Sequence, residues 1–172
     1  MREQRGRGLT GSLLAEDAAD EIAGNLQLFG QFVGEWDLEW RGLDATGLPT
    51  TAAGELVFGW ILGGRAIQDT WRVPVHQDGE QAIRGFFGTT VRFYDPSIEA
   101  WRSTWIEPGN GNVRRFIGRP TADGILLEPL DGARGERWSF VDIHPGTFTW
   151  RSQVILAGEW LTEEEMYATR RR

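Results

Sequence analysis

Hydrophobic and charged residues alternate strictly in the stretch from Gly34 to Arg41. Trp36, Leu38 and Trp40 alternate with the charged residues Glu35, Asp37, Glu39 and Arg41. Successive side chains of a strand point to opposite faces, so one face of this segment is aromatic and the other charged. The pattern predicts a β-strand whose aromatic face is buried.

Turn-forming residues recur at nearly regular intervals after this strand, from Asp44-Ala45-Thr46-Gly47 to Ala157-Gly158. The segments between the turns have strand length and are rich in Trp, Phe, Val, Ile and Thr. Such spacing is typical of an all-β sandwich or barrel. Short links make neighbouring strands antiparallel, and closure removes exposed edges. We therefore predict an all-β fold, a closed antiparallel up-and-down β-barrel of about ten strands.

The segment before the first strand has apolar residues at helical spacing, namely Leu14, Ala18, Ile22, Leu26 and Phe29. This spacing predicts an N-terminal helix over residues 12–30, with a break at Gly24. The helix is expected either to close one end of the barrel or to form a lid over a ligand entrance. Residues 1–11 are expected to be disordered, and residues 12–172 to form a single domain.

The segment Phe32-Val33-Gly34-Glu35-Trp36 resembles the Phe-x-Gly-x-Trp opening of the calycin barrels, which include lipocalins and fatty-acid-binding proteins. The resemblance covers about residues 25–170. It is greatest to uncharacterised bacterial lipocalin-like proteins, through Tyr94-Asp95-Pro96 followed by Trp101 and Trp105. It implies that Trp36 plugs the closed end of the barrel, against an Arg of the last strand. A fatty-acid carboxylate clamp is not implied, because the Arg-x-Tyr motif is missing near the C-terminus.

The amino-acid composition excludes several kinds of partner and of chemical site. A net charge of −7 argues against nucleic acid or an anionic membrane as partner. The absence of Cys excludes disulfides, thiolate nucleophiles and zinc–thiolate sites, and all 18 basic residues are Arg, which excludes Schiff-base chemistry. No signal-peptide core and no apolar run of membrane-spanning length occur. We expect a cytoplasmic protein with a small apolar molecule as partner; a homodimer is left open.

No cofactor and no metal site are expected. His76 and His144 lie at turns, with no second His or Cys close in sequence. The alternative is haem held by one of these histidines, as in some calycin-like bacterial barrels.

Alternation also assigns residues to the barrel interior. It places Asp69 with Ile67 and Trp71, and Arg115 with Val113 and Ile117. Asp69 and Arg115 are expected to fix the polar end of a ligand; alternatively they form an internal ion pair or point outward. Other inner sets are Trp138, Phe140 and Asp142, and Glu164, Met166 and Ala168. The predicted ligand-binding residues are Trp71, Trp101, Trp105, Arg115, Phe140 and Trp150.

Three classes of function fit this pattern. The first is a protein that binds a small hydrophobic or aromatic metabolite inside the barrel. The second is a cofactor-independent isomerase, cyclase or dehydratase acting on such a metabolite, with Asp69, Tyr94 or Glu164 as the proton donor or acceptor. The third is a barrel filled by its own side chains, which acts through its surface or as an oligomer.

Overall fold

A closed antiparallel barrel forms the body of the protein. The computed structural model describes residues 11, 13–44, 46–74, 85–130 and 135–172. The barrel strands are β2 (Gly34–Leu43), β3 (Pro49–Ile61), β4 (Ala66–Val73), β5 (Phe86–Asp95), β6 (Ala100–Glu107), β7 (Asn112–Thr121), β8 (Gly124–Pro129), β9 (Glu136–His144), β10 (Thr147–Leu156) and β11 (Glu159–Arg170). Each strand pairs with its neighbours in sequence, and β11 pairs with β2, so the ring of ten strands is complete. The predicted up-and-down barrel is confirmed.

The N-terminal segment is less helical than its apolar spacing predicts. A two-residue strand, β1 (Leu14–Ala15), pairs with the end of β3, and a 3₁₀ turn (Asp20–Ile22) precedes the helix α1 (Ala23–Gly30). The prediction of a helix over residues 12–30 is therefore wrong for its first half, and Gly24 lies within α1. The reason is that this backbone bonds elsewhere: the Ala19 N–H donates to the Gly64 carbonyl oxygen at 3.0 Å. The expectation for residues 1–11 concerns positions that, Gly11 apart, lie outside the described residues.

Helix α1 closes one end of the barrel. Its Leu26 and Phe29 side chains are completely buried, and the Phe29 ring packs edge-on against Trp101, with 5.0 Å between ring centroids. None of the residues of α1 lines the cavity described below. The helix is thus a plug, and the alternative of a lid over the entrance is not supported.

The Trp36 side chain lies at the same end, where the calycin resemblance places it. It is 1% exposed, and its indole N–H donates to the Phe32 carbonyl oxygen at 2.7 Å. The guanidinium of Arg170, on the last strand, stacks 4.1 Å from the Trp36 ring centroid. Arg170 also donates to the carbonyl oxygens of Gln31 and Val33, so it ties the end of β11 to the start of β2.

Two β-bulges change which side chains face inward. In β11 the register with β10 shifts so that Glu163 is the extra residue between Thr162 and Glu164. In β9 the register with β10 shifts near Asp142, which has a positive φ of 51°. The prediction that Asp142 shares the inner face of Trp138 and Phe140 is wrong, because this bulge turns its side chain to the surface.

Candidate ligand cavity

The interior of the barrel is filled in one half and empty in the other. We call the half around α1 the closed half, and the half around the β2–β3, β6–β7 and β10–β11 hairpins the open half. The open half contains a cavity of about 620 Å³, within the range of small-molecule sites. Its rim includes the exposed residues Leu43 and Glu163 and the partly exposed Asp44, so the cavity is accessible from solvent. The filled-barrel alternative therefore describes only the closed half.

Six aromatic residues line the cavity, namely Trp40, Trp71, Phe86, Trp105, Trp138 and Trp150. Five of these rings contact one another in series. The Trp138 ring centroid lies 5.2 Å from that of Trp150, which lies 5.9 Å from that of Trp71. Trp105 lies 6.3 Å from Trp138 on the other side, and Phe86 continues the series. This arrangement presents a continuous aromatic surface to a ligand.

Two glycines make room for this wall. A Cβ atom at Gly88 on β5 would stand 2.3 Å from the ring of Trp105, and one at Gly42 would stand 2.3 Å from the ring of Trp40. Real Cβ atoms do not approach other atoms so closely. Each indole ring therefore occupies space beside the backbone that the Cβ atom of any other residue would fill. The positions of these two rings therefore depend on residues that contribute no side chain.

The floor of the cavity is a buried ion pair between neighbouring strands. Asp69 on β4 is paired with Thr90 in the β4–β5 ladder, which puts Arg92 diagonally opposite on the same face. The Arg92 guanidinium donates to Asp69 Oδ2, and the Thr90 N–H donates to Asp69 Oδ1 at 2.8 Å. Both side chains are at most 2% exposed. Arg92 also stacks on Phe29 of the plug, 5.1 Å from its ring centroid, so it separates the filled half from the cavity.

Three buried N–H donors at the cavity have no hydrogen-bond acceptor in the described part of the chain. They are Arg92 Nε, Trp40 Nε1 and Trp138 Nε1. A buried donor without an acceptor costs free energy comparable to a lost hydrogen bond, and such groups are uncommon in folded proteins. The three donors thus favour a ligand with an acceptor atom.

Carboxylates are concentrated at the rim. The buried Glu107, at the end of β6, accepts hydrogen bonds from the side-chain amides of Asn110 and Asn112, the latter at 2.9 Å. Opposite it, the bulge in β11 brings both Glu163 and Glu164 to the cavity wall. Arg114 on β7 lines the same region and is paired with Glu136.

Burial raises the pKa of the Glu164 carboxyl above its usual range. The neighbouring charges of Glu163 and Glu107 raise this pKa further, whereas the Trp40 indole and Arg114 lower it. Trp40 Nε1 is outside hydrogen-bond geometry, so its effect on the carboxyl is that of a nearby dipole. Glu164 therefore holds a proton to a higher pH than an exposed glutamate does.

Four of the predicted site residues meet at this cavity: Trp71, Trp105, Trp150 and Glu164 all line it. Asp69 is placed immediately beneath, behind Arg92. Trp101, Phe140 and Tyr94 belong to the closed half instead. Trp101 and Phe140 are almost fully buried, and Tyr94 packs 6.3 Å from Trp101.

The prediction that Arg115 faces the interior of the barrel is wrong. Phe116 and Gly118 are the buried residues of β7, so Arg114 shares their inner face and Arg115 is exposed on the outer one. The partner of Asp69 is Arg92, which the sequence analysis did not select. The alternation of residues could not decide which of the two arginines faces inward, because Arg114 and Arg115 are adjacent and apolar residues stand on both faces of β7.

Several residues of the cavity were not among the site residues predicted from the sequence, although Trp138 and Met166 were assigned to the inner faces of their strands. They are Trp40, Phe86, Thr90, Arg92, Glu107, Asn110, Asn112, Arg114, Trp138, Ser152, Glu163 and Met166. Of these residues, Arg92 could have been identified from the sequence. It stands at the position of β5 diagonal to Asp69 once the β4–β5 hairpin is assumed, and the two opposite charges fit that diagonal.

His144 does not line the cavity. His144 is exposed at the closed end of β9, and His76 lies outside the described residues. No group of three His, Asp or Glu side chains in the described part of the chain is arranged to hold a metal ion. Among the same residues, no helix has both the length and the apolar character needed to cross a membrane.

Comparison with known proteins shows the fold and no more. No family model matches the sequence, and no curated protein matches it either. The structure is similar to the crystal structure of Rv2717c from M. tuberculosis, with a TM-score of 0.57, 16% identity, and coverage of 91% of this chain and 100% of that one. It is also similar to the S-type phycobiliprotein lyase CPES from Guillardia theta, with a TM-score of 0.53, 10% identity, and coverage of 85% and 92%. Together with the complete ring of ten strands, these likenesses fit a lipocalin-like barrel fold.

Proposed function

We propose that this protein binds a small aromatic molecule that carries a hydrogen-bond acceptor, in the open half of a barrel related to the bacterial lipocalin-like group. The observation that carries the proposal is the set of three buried N–H donors without an acceptor on side chains that line an aromatic cavity. The wall supplies stacking surface, and Arg92, Trp40 and Trp138 supply hydrogen bonds. Because the charge of Arg92 is already neutralised by Asp69, a neutral carbonyl oxygen is a suitable acceptor.

The direct test uses two naphthalenes that differ only in the acceptor. We expect 2-acetyl-6-tert-butylnaphthalene to quench the tryptophan fluorescence of the cavity. The isopropenyl analogue, which keeps the trigonal shape of the acetyl group without a carbonyl oxygen, is expected to bind about tenfold more weakly, because a buried hydrogen bond to a charged donor contributes about 1.5–3 kcal/mol. Equal affinity for both compounds would show that the N–H donors do not form a hydrogen bond with the carbonyl oxygen of the ligand. Failure of both to bind would overturn the proposal.

A glycine variant locates the binding in the cavity. Gly88→Ala places a Cβ against the Trp105 ring and the Ile106 carbonyl oxygen, so the indole must move toward the empty space. We expect this variant to bind the ketone at least about tenfold more weakly, a loss of about 1.4 kcal/mol. Gly59→Ala is the matched control, since nothing lies within 4 Å of its Cβ position. Equal losses in both variants would place the binding elsewhere.

The second candidate function is acid–base catalysis on the bound molecule. It is favoured by Glu164, a carboxyl in the cavity whose pKa is raised by burial, which is the property expected of a general acid or base. The name of the similar phycobiliprotein lyase supports a role for barrels of this fold in enzymes. We expect such an enzyme to exchange the methyl protons of the bound acetyl group for solvent deuterium, as followed by NMR. If exchange is no faster with the protein than without it, or persists in Glu164→Gln, catalysis by Glu164 is excluded for this probe.

A further inference from the structure

The side chains that line the cavity carry an excess of negative charge. Four carboxylates line it, those of Asp44, Glu107, Glu163 and Glu164, against two guanidiniums. Both guanidiniums already have acidic partners: Arg92 pairs with Asp69, and Arg114 pairs with Glu136. The rim carboxylates are thus not neutralised by the cavity's own cations. A negative potential inside a low-dielectric cleft concentrates cations.

The carboxylates are fixed by the fold. Glu107 is buried and held by the amides of Asn110 and Asn112, which orient its oxygen atoms without cancelling its charge. Glu163 and Glu164 both reach the cavity because of the bulge in β11, since a regular strand would turn one of them outward. The geometry does not suit a metal ion, because these groups do not form a ligand set among the described residues.

The aromatic wall of the cavity also suits a cationic ligand. Trp40 and Trp105 line the cavity together with Glu107 and Glu164, and the faces of indole rings attract cations through their negative quadrupole. Aromatic faces combined with carboxylates are the usual means of binding an organic ammonium group, which is too large and too weakly hydrated for a metal site.

We propose that the ligand is an organic cation, an aromatic amine or quaternary ammonium compound whose positive group lies among Glu107, Glu163 and Glu164. This inference rests on the proposed function, because the aromatic body and acceptor of the same molecule occupy the floor at Arg92. The ligand is therefore polar at both ends, with its acceptor inward and its cation toward the rim.

The cationic preference depends on pH through Glu164. The charged groups facing this carboxyl are Glu163 on its own strand, Glu107 on β6 and Arg114 on β7, and Asp44 lines the same cavity beyond β2. Since the pKa of Glu164 is raised in the free protein, lowering the pH protonates it before an exposed glutamate would be protonated. A cation binds the ionised form better, so its affinity falls as the pH decreases through that pKa, whereas the affinity of a neutral isostere does not.

The experiment compares 2-acetyl-6-(trimethylammonio)naphthalene with the neutral tert-butyl ketone, which has the same shape. At pH 8 we expect the cation to bind the full chain at least about tenfold more tightly, as measured by calorimetry and tryptophan fluorescence. Glu164→Gln should reduce this preference and flatten its dependence on pH. Glu159→Gln, an exposed position on the same strand, makes the same change in net charge and should alter neither.

Two results would overturn the inference while leaving the proposed function intact. One is equal binding of the two ketones at pH 8. The other is an equal loss of preference in Glu159→Gln and Glu164→Gln, which would assign the preference to overall charge. If neither ketone binds, the proposed function fails and the inference fails with it.

Discussion

Replacing Trp36 by alanine is expected to lower the free energy of unfolding by about 3–5 kcal/mol, the range for large aromatic residues removed from a core. The side chain is 1% exposed and packs edge-on against Phe148, with 4.8 Å between ring centroids. Its removal also takes away the surface on which the Arg170 guanidinium stacks. The rings of Phe32 and Phe148 that pack against Trp36 belong to the same buried core, so its removal leaves a void at the junction of β2, β11 and α1.

Urea unfolding followed by circular dichroism measures this loss. Trp160→Ala is the matched control, because Trp160 lies on the β10–β11 hairpin with more than a third of its surface exposed and should contribute little. The folded Trp36→Ala variant should bind the naphthyl ketone with unchanged affinity, since Trp36 does not line the cavity. A variant of normal stability that no longer binds the ketone would contradict the assignment of Trp36 to the plug.

Breaking the ion pair at the cavity floor is expected to lower the free energy of unfolding by as much as Trp36→Ala does. Asp69→Asn leaves the Arg92 charge buried without its counter-charge, and Arg92→Met leaves the Asp69 carboxylate in the same position. Removing one partner of a buried pair typically costs about 3–5 kcal/mol, whereas replacing both with apolar residues is often neutral or stabilising. We therefore expect each single variant to lose about 3–5 kcal/mol and the double variant Asp69→Leu/Arg92→Met to recover most of that loss.

The control for the ion pair is Arg65→Met, which breaks the exposed pair between Arg65 and Glu21 and should change stability very little. The double variant also separates stability from recognition. It should fold well yet no longer distinguish the ketone from its isopropenyl analogue as the native protein does, because the Arg92 donor is gone. If the double variant is as unstable as the single ones, the pair contributes specific interactions beyond the mutual neutralisation of its charges.

The sequence predicts the barrel well because turns and strand lengths do not depend on which face is buried. It predicts the inner face correctly in β2 and β4, where every buried position is apolar except Asp69. In β5, however, Val91 and Phe93 face outward while Thr90 and Arg92 face inward. A lumen that contains polar groups removes the contrast on which alternation depends, so hydrophobicity no longer marks the inner face.

Local backbone irregularities account for most of the remaining differences. The bulge near Asp142 reverses the end of β9, and the bulge at Glu163 adds a second carboxylate to the cavity. Each inserts one residue, and no residue type in either strand signals the insertion. The sequence therefore identified Glu164 but could not identify its companion. Because the connection between β4 and β5 is long, the register that puts Arg92 diagonally opposite Asp69 follows from the sequence only once that hairpin is assumed.

The pairing of β11 with β2 has a consequence for how the protein is made. Each strand of the barrel finds one partner in the neighbouring hairpin, but the ring closes only through contacts between residues such as Trp36 and Arg170, more than 130 positions apart. During translation β2 leaves the ribosome first and has only β3 beside it until β11 has been synthesised. Its other edge stays unpaired for that whole period, and an unpaired edge can add a strand from another chain. Contacts this distant in sequence also make folding slow, so conditions that delay the end of synthesis should increase aggregation more than conditions that delay its beginning.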